Sequence, residues 1–172
     1  MARRSQPNKQ PEELRASLVA LLSDFAAQLQ TTDVRAKVVA LVPAFRKLRD
    51  LGSSLLPADG TDSAIERIIA YLQRYPQTVI DGDELMVVSG IGEWARRVRE
   101  LRVQLGWWIY SGVTFKQMAE ETPEDAVGIK ELLGIEAAKI KPDQYVLMRT
   151  DQDRTAAHRW NVSNEVRPQE RG

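Results

Sequence analysis

Large apolar residues recur at steps of three and four through the first third of the chain, at Leu14, Leu18, Leu21, Leu22, Phe25 and Leu29, then at Val34, Val38, Leu41, Phe45 and Leu48. That period marks one face of an amphipathic helix. Pro11 suits the first position of the first run, and Thr31-Thr32-Asp33 supplies a cap for the second. The pattern predicts two helices joined by a tight link, an antiparallel hairpin. Pro43 is expected to kink the second helix or split it in two. Two helices alone cannot bury both stripes, so the hairpin is expected either to pack on the domain that follows or to serve as a dimerisation surface.

Gly52-Ser53-Ser54 and Pro57-Ala58-Asp59-Gly60 mark a boundary. Beyond it, Thr61 or Asp62 is expected to cap a helix carrying Ala64, Ile65, Ile68, Ile69 and Leu72, stopped by Pro76. Thr78-Val79-Ile80 reads as a short strand, and Asp81-Gly82 turns the chain into a small helix over 83–88. Gly90 and Gly92 permit a tight turn into the next helix. There Ile91, Trp94, Ala95, Val98, Leu101 and Leu105 fall on one side at 100° per residue, with Arg96, Arg99 and Val103 opposite and Arg97 and Arg102 flanking. Gly106 fits a helix end with positive φ. Strands are expected over 107–110 and 145–149.

The resulting order is helix, strand, helix, helix, strand, strand, which is that of a winged helix-turn-helix. Between the last two strands Thr114 with Gln117, then Thr122-Pro123-Glu124-Asp125 and Gly134, signal helices, so the wing carries a helical insert. The expected fold is mainly α with a small β-sheet. Residues 11–56 form the helical hairpin and 61–150 the winged-helix domain. Residues 1–10 read as a disordered basic tail, and 151–172 as a polar linker that starts as a helix around 154–160.

Net charge at pH 7 is zero, so a polyanion partner requires an uneven distribution. The distribution is uneven: residues 90–106 hold four Arg against two Glu. Lys139, Lys141 and Arg149 follow an acidic stretch of Glu120, Glu121, Glu124, Asp125, Glu131 and Glu136, whose charge argues that the insert faces away from DNA or contacts protein. No Cys is present, and His158 is the single histidine, which excludes thiolate or histidine-rich zinc sites. An oxygen-ligated magnesium site is not excluded by composition, but no metal site and no cofactor is predicted. No apolar run approaches the roughly 18 residues of a membrane span, and the start Met1-Ala2-Arg3-Arg4 lacks a signal-peptide core. A cytoplasmic location is expected.

Catalytic chemistry finds no residues to carry it. A nuclease core of two carboxylates and a lysine fails, because Asp143 precedes a strand with no second acid or lysine and Glu136 to Lys139 has the wrong spacing. No phosphate-cradling Gly-rich loop and no nucleophile elbow is present. The residues instead predict binding of double-stranded DNA, plain or modified. Arg96 and Arg99 would face the major groove, Arg97 and Arg102 would reach phosphates or pair with Glu, and Lys139, Lys141 and Arg149 would contact backbone beside the wing. Other readings stay open. The arginines can be a solvated face paired to Glu93 and Glu100, and Trp107, Trp108 and Tyr110 either line the core or touch a modified base. A transcription regulator dimerising through the hairpin and a protein-interaction module are the remaining alternatives.

The run Glu93-Trp94-Ala95-Arg96-Arg97-Val98-Arg99-Glu100-Leu101-Arg102, followed by Gly106-Trp107, resembles the region upstream of the nuclease domain in bacterial HNH-type restriction endonucleases. Tyr145-Val146-Leu147, Asp151-Gln152-Asp153-Arg154 and the stretch from Arg159 to Arg167 are also similar to that family. The resemblance implies a DNA-specificity module whose nuclease follows elsewhere. An HNH centre needs several metal-binding and base residues, and this sequence offers His158 alone, which reads as a solvated surface residue, so the chain is expected to be inactive by itself.

Overall fold

The computed structural model describes residues 10–57 and 61–155. The two opening helices are α1 (Pro11–Phe25) and α2 (Val34–Ser53), linked by a 3-10 turn over Ala26–Gln30. Asp33 caps α2, its side chain accepting from the Arg35 and Ala36 amides at 2.9 and 3.3 Å. Pro43 neither splits α2 nor ends it. Pro43 and Val39, whose carbonyl lacks a donor in consequence, both lie on the exposed side of the helix, where water can replace the missing bond.

Gly52, expected as a break, stands inside α2 and is buried. A Cβ there would come within 2.5 Å of the Val87 carbonyl oxygen, so the glycine sets how closely α2 approaches its neighbour. That neighbour is α4 (Gly82–Ser89). The far end of the hairpin has no such support.

Next come α3 (Ala64–Arg74), β1 (Ile80–Asp81), α4, α5 (Trp94–Val103) and β2 (Trp107–Ser111). Helices α6 (Gly112–Glu121) and α7 (Pro123–Leu133), a 3-10 turn at Ala137–Lys139 and β3 (Gln144–Gln152) complete the described chain. The cap of α3 is Ser63 rather than Thr61 or Asp62. Ser63 and Glu66 form a capping box, with the Ser63 amide donating to Glu66 at 2.7 Å, whereas the Thr61 hydroxyl is engaged with the Pro57 carbonyl. Likewise α6 starts at Ser111, whose Oγ accepts from the Thr114 amide, so Thr114 is not the cap.

The sheet order is β1-β3-β2, antiparallel throughout, with Ile80 opposite Tyr145 and Ile109 opposite Leu147. Strand β3 runs on through Gln152, past the expected Arg149, because its far end still pairs with Trp107 across an irregularity in β2. Alternation along β3 divides the sheet between two cores. Tyr145 and Leu147 join Ile68, Leu72, Leu85, Val98 and Leu101 on one face, while Val146 and Met148 join Phe115, Ile129 and Ile140 on the other. The helical insert therefore covers the second face of the sheet instead of standing only at a wing tip. Of the aromatic strand, Trp107 packs on the first core and Tyr110 on the second. No helix among the described residues is long and apolar enough to cross a membrane.

Candidate nucleic-acid interface

Helices α4 and α5 are joined by four residues, and the joint is held from below by α3. Gly90 takes φ of +66°, a conformation that a side chain resists, and ends α4. Gly92 has no positive φ and open space around it, so it is not required for the turn. Arg67 on α3 reaches up to donate to the Val88 and Ser89 carbonyls at 3.1 and 2.7 Å, and to those of Thr61 and Asp62 at 3.0 and 3.2 Å. Burial lowers the pKa of its guanidinium, with Glu66 and Asp62 opposing, but an arginine so placed remains charged. Its charge answers the orphan carbonyls at the C-terminal end of α4. Arg49 of α2 adds a 2.7 Å bond to the Gly90 carbonyl.

The buried side of α5 is narrower than the sequence predicts. Val98 and Leu101 are buried and Trp94 half-buried, edge-on to Tyr145 at 5.8 Å. Ala95 is exposed. Leu105 is exposed too, because the helix ends at Val103 and its phase no longer applies. Gly106 does adopt positive φ, at +68°.

The outward side of α5 carries the arginines, and their partners differ. Arg96 is 68% exposed and lies 3.3 Å from Glu100 and 3.9 Å from Glu93. Arg97 holds Glu100 more tightly, at 2.7 Å, and Glu100 is left only 17% exposed between the two. Arg99 is exposed, with no hydrogen bond or ion pair among the described residues. Arg102 turns the other way and donates to Thr114 at 3.4 Å, near the start of α6. Exposed pairs of the Arg96 kind contribute about 0.3–0.5 kcal/mol, so a phosphate or base edge outcompetes them.

The remaining predicted cations do not form one patch. Lys141 is exposed, and its carbonyl stands against Gly112 at the head of α6, which brings it to the same side as Arg102. Lys139 pairs with Glu136 at 3.0 Å, and with Lys130 it holds that carboxyl below its ordinary pKa. Arg149 pairs with Asp151 at 2.8 Å and lies 4.9 Å above the Trp108 ring, further along β3. At strand rise, Gln144 and Arg149 are about 17 Å apart, so Arg149 lies well along β3 from Lys141, which precedes the strand. The turn-holding roles of Arg67 and Arg49 escape sequence reading, since nothing local sets a basic residue on one helix apart from its neighbours.

No set of three or more His, Cys, Asp or Glu that could hold a metal is grouped among the described residues. His158 and the stretch from Arg159 to Arg167 lie outside the described residues, as does the tail over 1–9.

Residues 65–148, from α3 to β3, match the KpnI N-terminal domain family, a restriction-endonuclease family domain. The match takes in all of the helices and strands around the α4–α5 turn and leaves out the hairpin. No curated protein and no solved structure matches the chain.

Proposed function

We propose that this chain is the DNA-recognition module of a restriction endonuclease, folded as a winged helix-turn-helix in which α5 lies in the major groove. The observation that carries the reading is Arg99, exposed on the outward face of α5 and without a carboxylate partner among the described residues. A helix that merely needed solubility would gain by pairing it. Arg96 stands one turn away on the same face and gives up only a weak exposed pair, so both can offer bidentate bonds to guanine. Arg102 and Lys141 are the phosphate contacts on the flank nearest α6, with Arg97, Lys139 and Arg149 contributing after they exchange Glu100, Glu136 and Asp151 for phosphate. The element order and the rigid α4–α5 joint support the helix-turn-helix assignment, and the match over residues 65–148 supports the enzyme class. An HNH-type parent enzyme is the reading favoured by the Glu93 to Arg102 run, with the nuclease supplied outside these 172 residues.

Fluorescence anisotropy of a labelled duplex at rising salt tests the proposal. Neutralising about four phosphates gives a log-log slope of roughly −3 to −4. A flat signal at micromolar protein in low salt contradicts it.

A further inference from the structure

We infer that the hairpin α1–α2 is the contact through which two copies of this chain associate, with α1 of one copy lying against α2 of the other. Each helix carries two apolar stripes, and the hairpin uses only one of each. Leu14, Leu18, Leu21 and Phe25 of α1 are buried or half-buried against α2. One residue further round, Val19 and Leu22 are exposed, as is Leu29 in the 3-10 turn that follows. On α2 the packed side carries Ala36, Ala40 and Ala44, half-buried or buried, and the exposed stripe is Val34, Val38, Leu41, Phe45 and Leu48, from 39% exposed at Leu41 to 71% at Val34.

The geometry of an antiparallel pair brings these two spare stripes together. In each helix the spare stripe is displaced from the packed one in the same rotational sense about the chain direction, and the two chains run oppositely, so both stripes point to the same side of the hairpin. Eight large apolar side chains thus line one continuous face. Their exposed area is roughly 700 Å², above the ~300–600 Å² of the largest patch on a typical monomer and close to the ~800 Å² each partner gives to a stable interface.

The occupant is indicated by spacing and area. Val34, Val38, Leu41, Phe45 and Leu48 alternate steps of four and three, the seam that receives another helix running alongside. A two-fold axis parallel to the helices sets α1 of each copy against α2 of the other, completing a four-helix bundle. The surface is its own complement.

The test is the mass of the 172-residue chain in solution, measured without DNA by sedimentation equilibrium, so that its outcome is independent of the DNA-binding proposal. The expected mass is twice 19.4 kDa at tens of micromolar. Val38→Glu with Phe45→Glu should return it to 19.4 kDa and weaken association at least 100-fold, with the far-ultraviolet circular dichroism of the wild type retained because both side chains are exposed in one copy. Leu41→Gln with Leu48→Gln provides a second, uncharged variant and should do the same. A wild-type chain at 19.4 kDa up to 100 µM overturns the inference and leaves the face to another partner. A dimer that survives both double variants overturns it as well.

Discussion

The Arg67 guanidinium donates to the Ser89 carbonyl oxygen at 2.7 Å, tying the middle of α3 to the last residue of α4 just where the chain turns into α5. Ser89 is fully buried, and its own hydroxyl donates to the Met86 carbonyl and accepts from the Ile91 amide at 3.4 Å. One long side chain thus fixes the angle at which the arginine-bearing helix leaves the body of the domain.

Arg67→Met keeps much of the volume but leaves two partly buried carbonyls at the end of α4 without donors. Hydrogen bonds from a charged group contribute about 1.5–3 kcal/mol each, so a loss of about 3–6 kcal/mol is expected in urea unfolding. Arg67→Lys should recover less than half, since one ammonium cannot span the Val88, Ser89 and Thr61 carbonyls together.

Tyr71 donates to Glu84 at 2.5 Å, and this bond, with burial, raises its pKa from 10 to about 12. A phenol whose folded pKa exceeds its unfolded value stabilises the fold while protonated. Its contribution is complete below pH 10 and is lost as pH rises toward 12. Stability of the wild type should fall across that window, and Tyr71→Phe should flatten the fall in thermal melts recorded from pH 9 to 12.

Gly52→Ala places a methyl 2.5 Å from the Val87 carbonyl oxygen and 3.1 Å from a Val87 methyl. The contact is with backbone, so α2 must move off α4. A cost of about 1–3 kcal/mol is expected, with faster hydrogen exchange in α2 than in α3. Unchanged exchange in α2 would show that the hairpin is not held through this contact.

Much of this arrangement is legible in the sequence where local rules govern. The rhythm from Leu14 to Phe25 marks the packed face of α1, and Val98 and Leu101 phase α5 correctly, since buried apolar residues at helical spacing leave little freedom, whereas the rhythm from Val34 to Leu48 marks α2 as a helix but not its packed face, because those five residues are exposed. Reading failed where tertiary contact decided. Gly52 reads as a break in the sequence because a glycine needed for close approach and one needed for a turn are the same letter. Pro43 does not split α2, because the carbonyl it leaves without a donor is exposed and can bond to water. The cap at Ser63 was available as Ser63 with Glu66, but Thr61 and Asp62 are equally good cap types and only the Thr61 bond to Pro57 excludes one of them. The second core could not be seen at all from the acidic surface of α6 and α7, since Phe115, Ile129 and Ile140 find Val146 only across the sheet.

Trp94→Ala separates fold from readout. The indole is half-buried against Tyr145 and the first core, so its loss should lower stability by about 2–4 kcal/mol, whereas Arg96→Ala and Arg99→Ala should leave melting temperature within about a degree. The opposite pattern would mean that α5 presents a different face.

Arg99 carries the central claim, and selection of bound duplexes from a random pool, run in parallel for wild type, Arg99→Ala and Lys141→Ala, tests it most directly. Wild type should enrich a defined sequence. Arg99→Ala should relax the preference at one base pair at a cost of about 1–3 kcal/mol on the preferred site, while Lys141→Ala should weaken every sequence alike and reduce the salt slope by about one. Enrichment by Arg99→Ala of the same sequence, with the same strength as wild type, would contradict the assignment of α5 as the reading helix.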